Sequence, residues 1–266
     1  MAAGELVVCG LWASNNTVAC FAEEHLGVPL PDGRVPLPTS KVDHYSSQGI
    51  EGVAFHSLSA AGDIACGVLQ SNNMAACWTL GGMLDNSRTV YLTAMMPTLF
   101  FKWRSLSVGK KHVCGLMATS SQPHCWGGTN VLDPSTNEPM CPDDCDFFQG
   151  TVPSSFSSSA FVAIASSWKS TCGVQDVPIG ADPISCWGTG AYVTEAPNGI
   201  VNLYPGWLSL AGSDDGTCVL DNHGKIRCWP AFGSQGNNSW GPAFEGEPGQ
   251  YAVLAGGGAS FWGLGG

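Results

Sequence analysis

Positive charge is scarce in this sequence: ten lysines and arginines stand against twenty-one acidic residues, for a formal net charge of −11 over 266 residues. A nucleic-acid binder concentrates Lys and Arg on one face to meet phosphates, so the charge balance argues against a nucleic-acid partner. Long apolar runs are missing too. The stretch Val90 to Phe101 is too short to span a bilayer and is interrupted by Pro97, so no membrane insertion by this chain is expected. Met1 to Val8 lacks the basic region and apolar core of a signal peptide. Either a signal has been removed from the numbering or none existed, and the cysteines discussed below favour removal.

Catalytic signatures are absent as well. There is no Gly-x-Ser-x-Gly elbow, no His-Glu-x-x-His, and no phosphate-cradling glycine loop followed by Lys. The histidines His25, His44, His56, His112, His124 and His223 are scattered. The carboxylate pairs Glu23-Glu24, Asp143-Asp144 and Asp214-Asp215 are sequence neighbours, whereas glycosidase acids must face each other across a cleft. They read as solvated turns. No enzyme activity, cofactor or metal is expected.

Helical periodicity is likewise missing, and what is present is turn chemistry, with 35 glycines and 17 prolines. The turns punctuate an internal repeat. Segments aligned without gaps on Cys66, Cys114, Cys172, Cys218 and Trp262 carry an aromatic eleven residues earlier: Phe55, Trp103, Phe161, Trp207 and Tyr251. Eight residues before the anchor comes Leu58, Leu106, Ile164, Leu210 or Leu254. A sixth copy, at the start of the chain, is anchored at Cys9. A second cysteine follows five of the anchors, at Cys20, Cys77, Cys125, Cys186 and Cys228, and Trp78, Trp126, Trp187 and Trp229 come directly after four of these.

Each unit reads as an apolar strand, a turn, a strand bearing the first cysteine, a hairpin, and a strand bearing Cys-Trp; the linkers could supply a fourth strand. Anchors lie 44 to 58 residues apart, which suits propeller blades of roughly 40–50 residues. The expected fold is all-β, a single β-propeller domain over 1–266 with six or seven blades in the whole and the last incomplete in this chain. The first unit is expected to begin at its second strand.

Ten cysteines pair within units: Cys9–Cys20, Cys66–Cys77, Cys114–Cys125, Cys172–Cys186 and Cys218–Cys228. Each pair brackets a hairpin, where cross-strand neighbours lie within disulfide reach. Cys141 and Cys145 remain; a metal site built on them would need a second matching pair, so a local disulfide is favoured. This even, regular usage points outside the cytosol, to a secreted protein or the extracellular face of the plasma membrane. Two N-glycosylation sequons, Asn15-Asn16-Thr17 and Asn237-Asn238-Ser239, fit that compartment and make Asn15 and Asn237 candidate glycan sites.

The segments Leu106 to Gly127 and Ile164 to Gly188 resemble the repeat of the extracellular domain of plant Crinkly-type receptor-like kinases. More remotely, Leu220 to Trp229 is similar to hairpins of the regulator-of-chromosome-condensation superfamily. The first resemblance implies a seven-repeat ectodomain that recognises a protein or peptide ligand. Alternatives are a structural subunit among neighbouring subunits of an extracellular glycoprotein assembly, and a lectin or glycan-active propeller. The Cys-Trp tryptophans are expected to pack between blades. Trp12, Trp168 and Trp240 fall off the repeat and are better candidates for exposed contacts. The proline-rich linker from Ala22 to Gly52 is expected to be a loop excursion available to a partner.

Overall fold

The computed structural model describes residues 2–3, 7–22, 52–62, 64–79, 101–128, 148–178, 183–189, 207–213, 216–221, 226–229, 253–257 and 260–264. Every regular element in them is a strand, arranged as six antiparallel sheets taken in chain order. The first holds β1 (Ala2–Ala3), β2 (Val7–Leu11) and β3 (Val18–Ala22). The second holds β4 (Phe55–Ala61), β5 (Ile64–Leu69) and β6 (Ala75–Thr79), and the third β7 (Trp103–Val108), β8 (His112–Met117) and β9 (Pro123–Gly127). The fourth holds β10 (Phe161–Ser166), β11 (Ser170–Gln175) and β12 (Ile184–Gly188). The fifth holds β13 (Trp207–Ser213), β14 (Gly216–Asp221) and β15 (Ile226–Trp229). The sixth has two strands, β16 (Val253–Gly257) and β17 (Ser260–Leu264).

The sheets are the blades of a β-propeller. Their first strands β1, β4, β7, β10, β13 and β16 are successive neighbours, and β16 also lies against β1. Middle strands are apolar on both faces because a blade stacks on each side: five of the six residues of β5, of β8 and of β11 are buried. Among the described residues the last sheet has two strands. One expectation is corrected. The first unit does not begin at its second strand: Ala2 and Ala3 pair with Cys9 and Val8, so a first strand exists, shortened to two residues.

The five hairpin cysteine pairs are directly opposed in the ladders and bonded, each with Cα atoms 4.0 Å apart. Alternation along a strand then sends the following Trp to the opposite face of its sheet. Each Trp therefore meets the blade before its own. Trp78 joins Cys9 and Cys20; Trp126 joins Cys66; Trp187 joins Cys114; Trp229 joins Cys172. These four indoles are at most 5% exposed.

The aromatic and the aliphatic that open each unit are three residues apart, an odd spacing that would split them between the two faces of a plain strand. A register shift after Phe55, Trp103, Phe161 and Trp207 absorbs one residue in each of these four blades, and in the second and third it returns the pair to a common face. In the second and third blades both side chains then close on the glycine after the anchor cysteine. A β-carbon on Gly115 would stand 2.5 Å from Trp103 and 2.7 Å from Leu106; on Gly67, 2.4 Å from Phe55 and 2.9 Å from Leu58. Blades are also joined at their hairpin tips. Asn16, Asn73 and Ser121 adopt φ of 56–61°, turning their carbonyls to accept the backbone N–H of Phe55, Trp103 and Phe161 at 2.7–2.9 Å.

Because Trp103 is buried and rigid, Gly115→Ala forces the indole or the strand to move. We expect a loss of about 1–3 kcal/mol in denaturant unfolding. Unchanged stability would show that the glycine is not a packing requirement.

Candidate functional site

In each blade the loop between first and second strands lies at one end of the propeller and the hairpin tip between second and third at the other. At the first end, two neighbouring loops converge. Gly109-Lys110-Lys111 links β7 to β8, and Ser167-Trp168-Lys169 links β10 to β11. They touch through backbone: a β-carbon on Gly109 would stand 2.4 Å from the Ser167 carbonyl. The half-buried Trp168 has the Lys169 ammonium 4.5 Å and the Lys110 ammonium 4.8 Å from its ring centroid, within cation–π range. Its indole N–H is covered and meets no acceptor among the described residues. Three of the chain's ten basic residues thus lie in two adjacent loops, and two of them flank one aromatic.

The seat beneath is polar and rigid. The Ser167 N–H and Oγ both donate to the Ser170 carbonyl, at 2.9 and 3.1 Å, and the two serine hydroxyls are 2.8 Å apart. The Ser166 N–H donates to Ser107 Oγ of the preceding blade at 2.7 Å. The buried His112 ring reaches Thr171 Oγ1 through Nε2 at 2.7 Å. Thr171 Oγ1 also lies 3.2 Å from the Gln149 carbonyl, to which it can donate, so one hydroxyl bridges the ring and the carbonyl. Trp187 Nε1 donates to the same carbonyl at 3.1 Å. Third and fourth blades are thus tied below the Trp168 loop by hydrogen bonds as well as packing.

The remaining candidates are dispersed. The five disulfides are interior staples. Trp12 is 54% exposed, at the opposite end from Trp168. Asn15 is exposed beside it, and its Oδ1 accepts from the Thr17 N–H at 3.1 Å and the Thr17 hydroxyl at 2.8 Å. Cys141, Cys145, Asn237, Trp240, residues 23–51 of the long linker, His25, His44, His223 and all three carboxylate pairs lie outside the described residues. Of the other histidines, His56 is exposed, and His124 stacks on Phe101 with ring centroids 5.0 Å apart. Burial holds the His124 imidazole below its ordinary pKa by disfavouring the cation. No cluster of three or more metal-ligating side chains occurs among the described residues. Sequence reasoning picked out Trp168 but not its lysines, His112 or Thr171, which only the stacking of blades brings together.

No protein-family model matches the chain. Solved structures do. The CRINKLY WD40 ectodomain of the Arabidopsis thaliana receptor kinase ACR4 is similar over 98% of this chain and 78% of its own, at 20% identity and TM-score 0.56. The entire ectodomain of the Physcomitrella patens receptor kinase CR4 is similar over 99% of this chain and 59% of its own, at 19% identity and TM-score 0.57. Yeast RCC1, solved in a complex, matches over 97% of this chain and 65% of its own, at 14% identity and TM-score 0.54. These likenesses show the fold, a β-propeller.

Two outcomes are expected. Thr171→Val leaves His112 Nε2 and the Gln149 carbonyl short of their shared hydroxyl, and should cost about 1–3 kcal/mol in denaturant unfolding; a neutral result would contradict the network. For His124 the folded pKa is lower than the unfolded one, so the unfolded state binds more protons just below pH 6.5. Its contribution is therefore complete above that pH and declines as pH falls through the window below. Thermal melts from pH 7.5 to 5 should show a shallower decline for His124→Phe; identical slopes would contradict the assignment.

Proposed function

We propose that this chain is a non-catalytic extracellular binding domain of receptor type, one propeller over 1–266, which takes a protein or peptide ligand at the Trp168 end. The observation that carries the reading is the Trp168 cluster. Two blades bring an indole and its lysines together at one end of an otherwise acidic, disulfide-stapled scaffold. A Trp seated on rigid elements and flanked by cations is the kind of anchor on which binding energy concentrates. The extracellular placement draws on the five hairpin disulfides, which persist where thiols are oxidised, and on the fold shared with the two receptor-kinase ectodomains. On the same reading, Cys141 and Cys145 form a sixth, local disulfide, and Asn15 carries an N-linked glycan, with Asn237 a second site.

The test uses the chain secreted from eukaryotic cells and immobilised as bait for extracellular proteins and peptides. Trp168→Ala combined with Lys169→Ala should weaken the captured ligand at least about tenfold without lowering the melting temperature. Equal binding by parent and variant would move the site elsewhere. Assembly of the chain into a stoichiometric polymer would replace the receptor reading with a structural one.

A further inference from the structure

Trp12 is the most exposed of the tryptophans whose burial is described. Trp78, Trp103, Trp126, Trp187 and Trp229 are buried in the blades, whereas Trp12 stands 54% exposed on the first hairpin tip. A single exposed indole needs no covering group on its own account; what singles out Trp12 is its place in the turn.

Beyond the last ladder pair, Leu11 with Val18, the Trp12 N–H donates to the Thr17 carbonyl at 2.9 Å. The Trp12 carbonyl accepts from the N–H groups of Asn16 and Asn15, at 2.8 and 3.4 Å. Trp12 and Thr17 are therefore the closing pair of a six-residue turn, and directly opposed residues put their side chains on one face. The Asn15 carboxamide is tied to Thr17 by its two bonds from the Thr17 N–H and hydroxyl. Its nitrogen is the atom that bears an N-linked sugar, and the carboxamide is anchored to Thr17, the residue opposite Trp12.

The other tips provide an internal comparison. The second and third close in the same way, with Leu69 N–H donating to the Met74 carbonyl and Met117 N–H to the Gln122 carbonyl. Asn72 and Ser120 take the place of Asn15, each accepting from the backbone two residues on. Neither tip carries a sequon. Where the first tip has exposed Trp12, they have half-buried Leu69 and Met117. The turn needs neither an aromatic nor a sugar, yet aromatic and sequon occur together in the first.

We infer that Trp12 is the seat of the first N-acetylglucosamine of a glycan on Asn15, and that this sugar, stacked on the indole, reinforces the seam between the first and second blades. The inference rests on the glycosylation reading given above. One face of a pyranose presents C–H groups of slight positive charge, which suit the negative face of an indole. The seam follows from the turn, because Asn16 accepts the Phe55 N–H at 2.9 Å and Thr17 bridges to Ala54. Whatever stiffens residues 12–17 stiffens the contact with the second blade.

The experiment is a cycle on the full chain carrying Asn237→Gln, secreted from eukaryotic cells and trimmed enzymatically to a single N-acetylglucosamine on Asn15. It is compared with the same chain made with glycosylation blocked. The sugar should raise the melting temperature of the Trp12 protein by about 2–4 °C, leave that of Trp12→Ala unchanged, and retain part of its effect in Trp12→Phe. Its N-acetyl and ring proton resonances should be shifted upfield in the Trp12 protein and unshifted in the Trp12→Ala variant. An occupied Asn15 whose sugar stabilises the Trp12 protein and the Trp12→Ala variant equally, with unshifted resonances, overturns the stacking while the glycosylation reading stands. A bare Asn15 in protein from its natural source, seen by mass spectrometry, removes both.

Discussion

The packing of one blade's disulfide under the next blade's tryptophan is the contact on which the rest of this structure depends. It follows from two adjacent residues in a strand: in Cys-Trp the sulfur leaves one face of the sheet and the indole the other. The cysteine bonds across its own hairpin, making that face flat and apolar. The indole reaches back to the previous blade's bonded pair, as Trp126 does to Cys66 and Trp187 to Cys114. Repetition of the dipeptide thus specifies both faces of a blade at once, and the blades stack in chain order.

Around that contact the other repeated features act as spacers. The glycine after the anchor cysteine is the floor on which Phe55, Trp103 or Phe161 rests. The tip carbonyls of Asn16, Asn73 and Ser121 hold the next blade's first strand at its entry. Serines at matching positions add inner ties where present: Ser59 Oγ accepts the Val108 N–H at 2.8 Å, as Ser107 Oγ does the Ser166 N–H. In the fifth blade Gly212 comes so near the Ser166 carbonyl that a β-carbon would stand 2.1 Å from it. A scaffold tied this often can hold an exposed loop in place, which is what a binding end requires.

Much of this was legible in the chain, because the repeat recurs without gaps. Strand order, the five hairpin pairings and the between-blade place of Trp78, Trp126, Trp187 and Trp229 follow from spacing and alternation. The bulge after Phe55 was not read from the chain, although Phe55 and Leu58 are three apart and two such residues cannot share a face of an undistorted strand. The two-residue first strand, Ala2–Ala3, was not legible, for it carries none of the aromatic or aliphatic marks of its counterparts. Nor was the grouping of Lys110 with Trp168, or of His112 with Thr171. Those residues are remote in sequence and meet only because neighbouring blades stack side by side. Trp12 stood out as an outlier; its relation to Asn15 emerged from the closing pair of the turn.

The interlock makes a directional statement, and a double-mutant cycle measures it. Removing the third blade's disulfide by Cys114→Ala with Cys125→Ala should couple to Trp187→Leu, in the next blade, by about 1–2 kcal/mol in denaturant unfolding. It should couple to Trp126→Leu, on the far face of its own sheet, by less than about 0.5 kcal/mol. Equal coupling to both tryptophans, or stronger coupling to Trp126, would contradict the account.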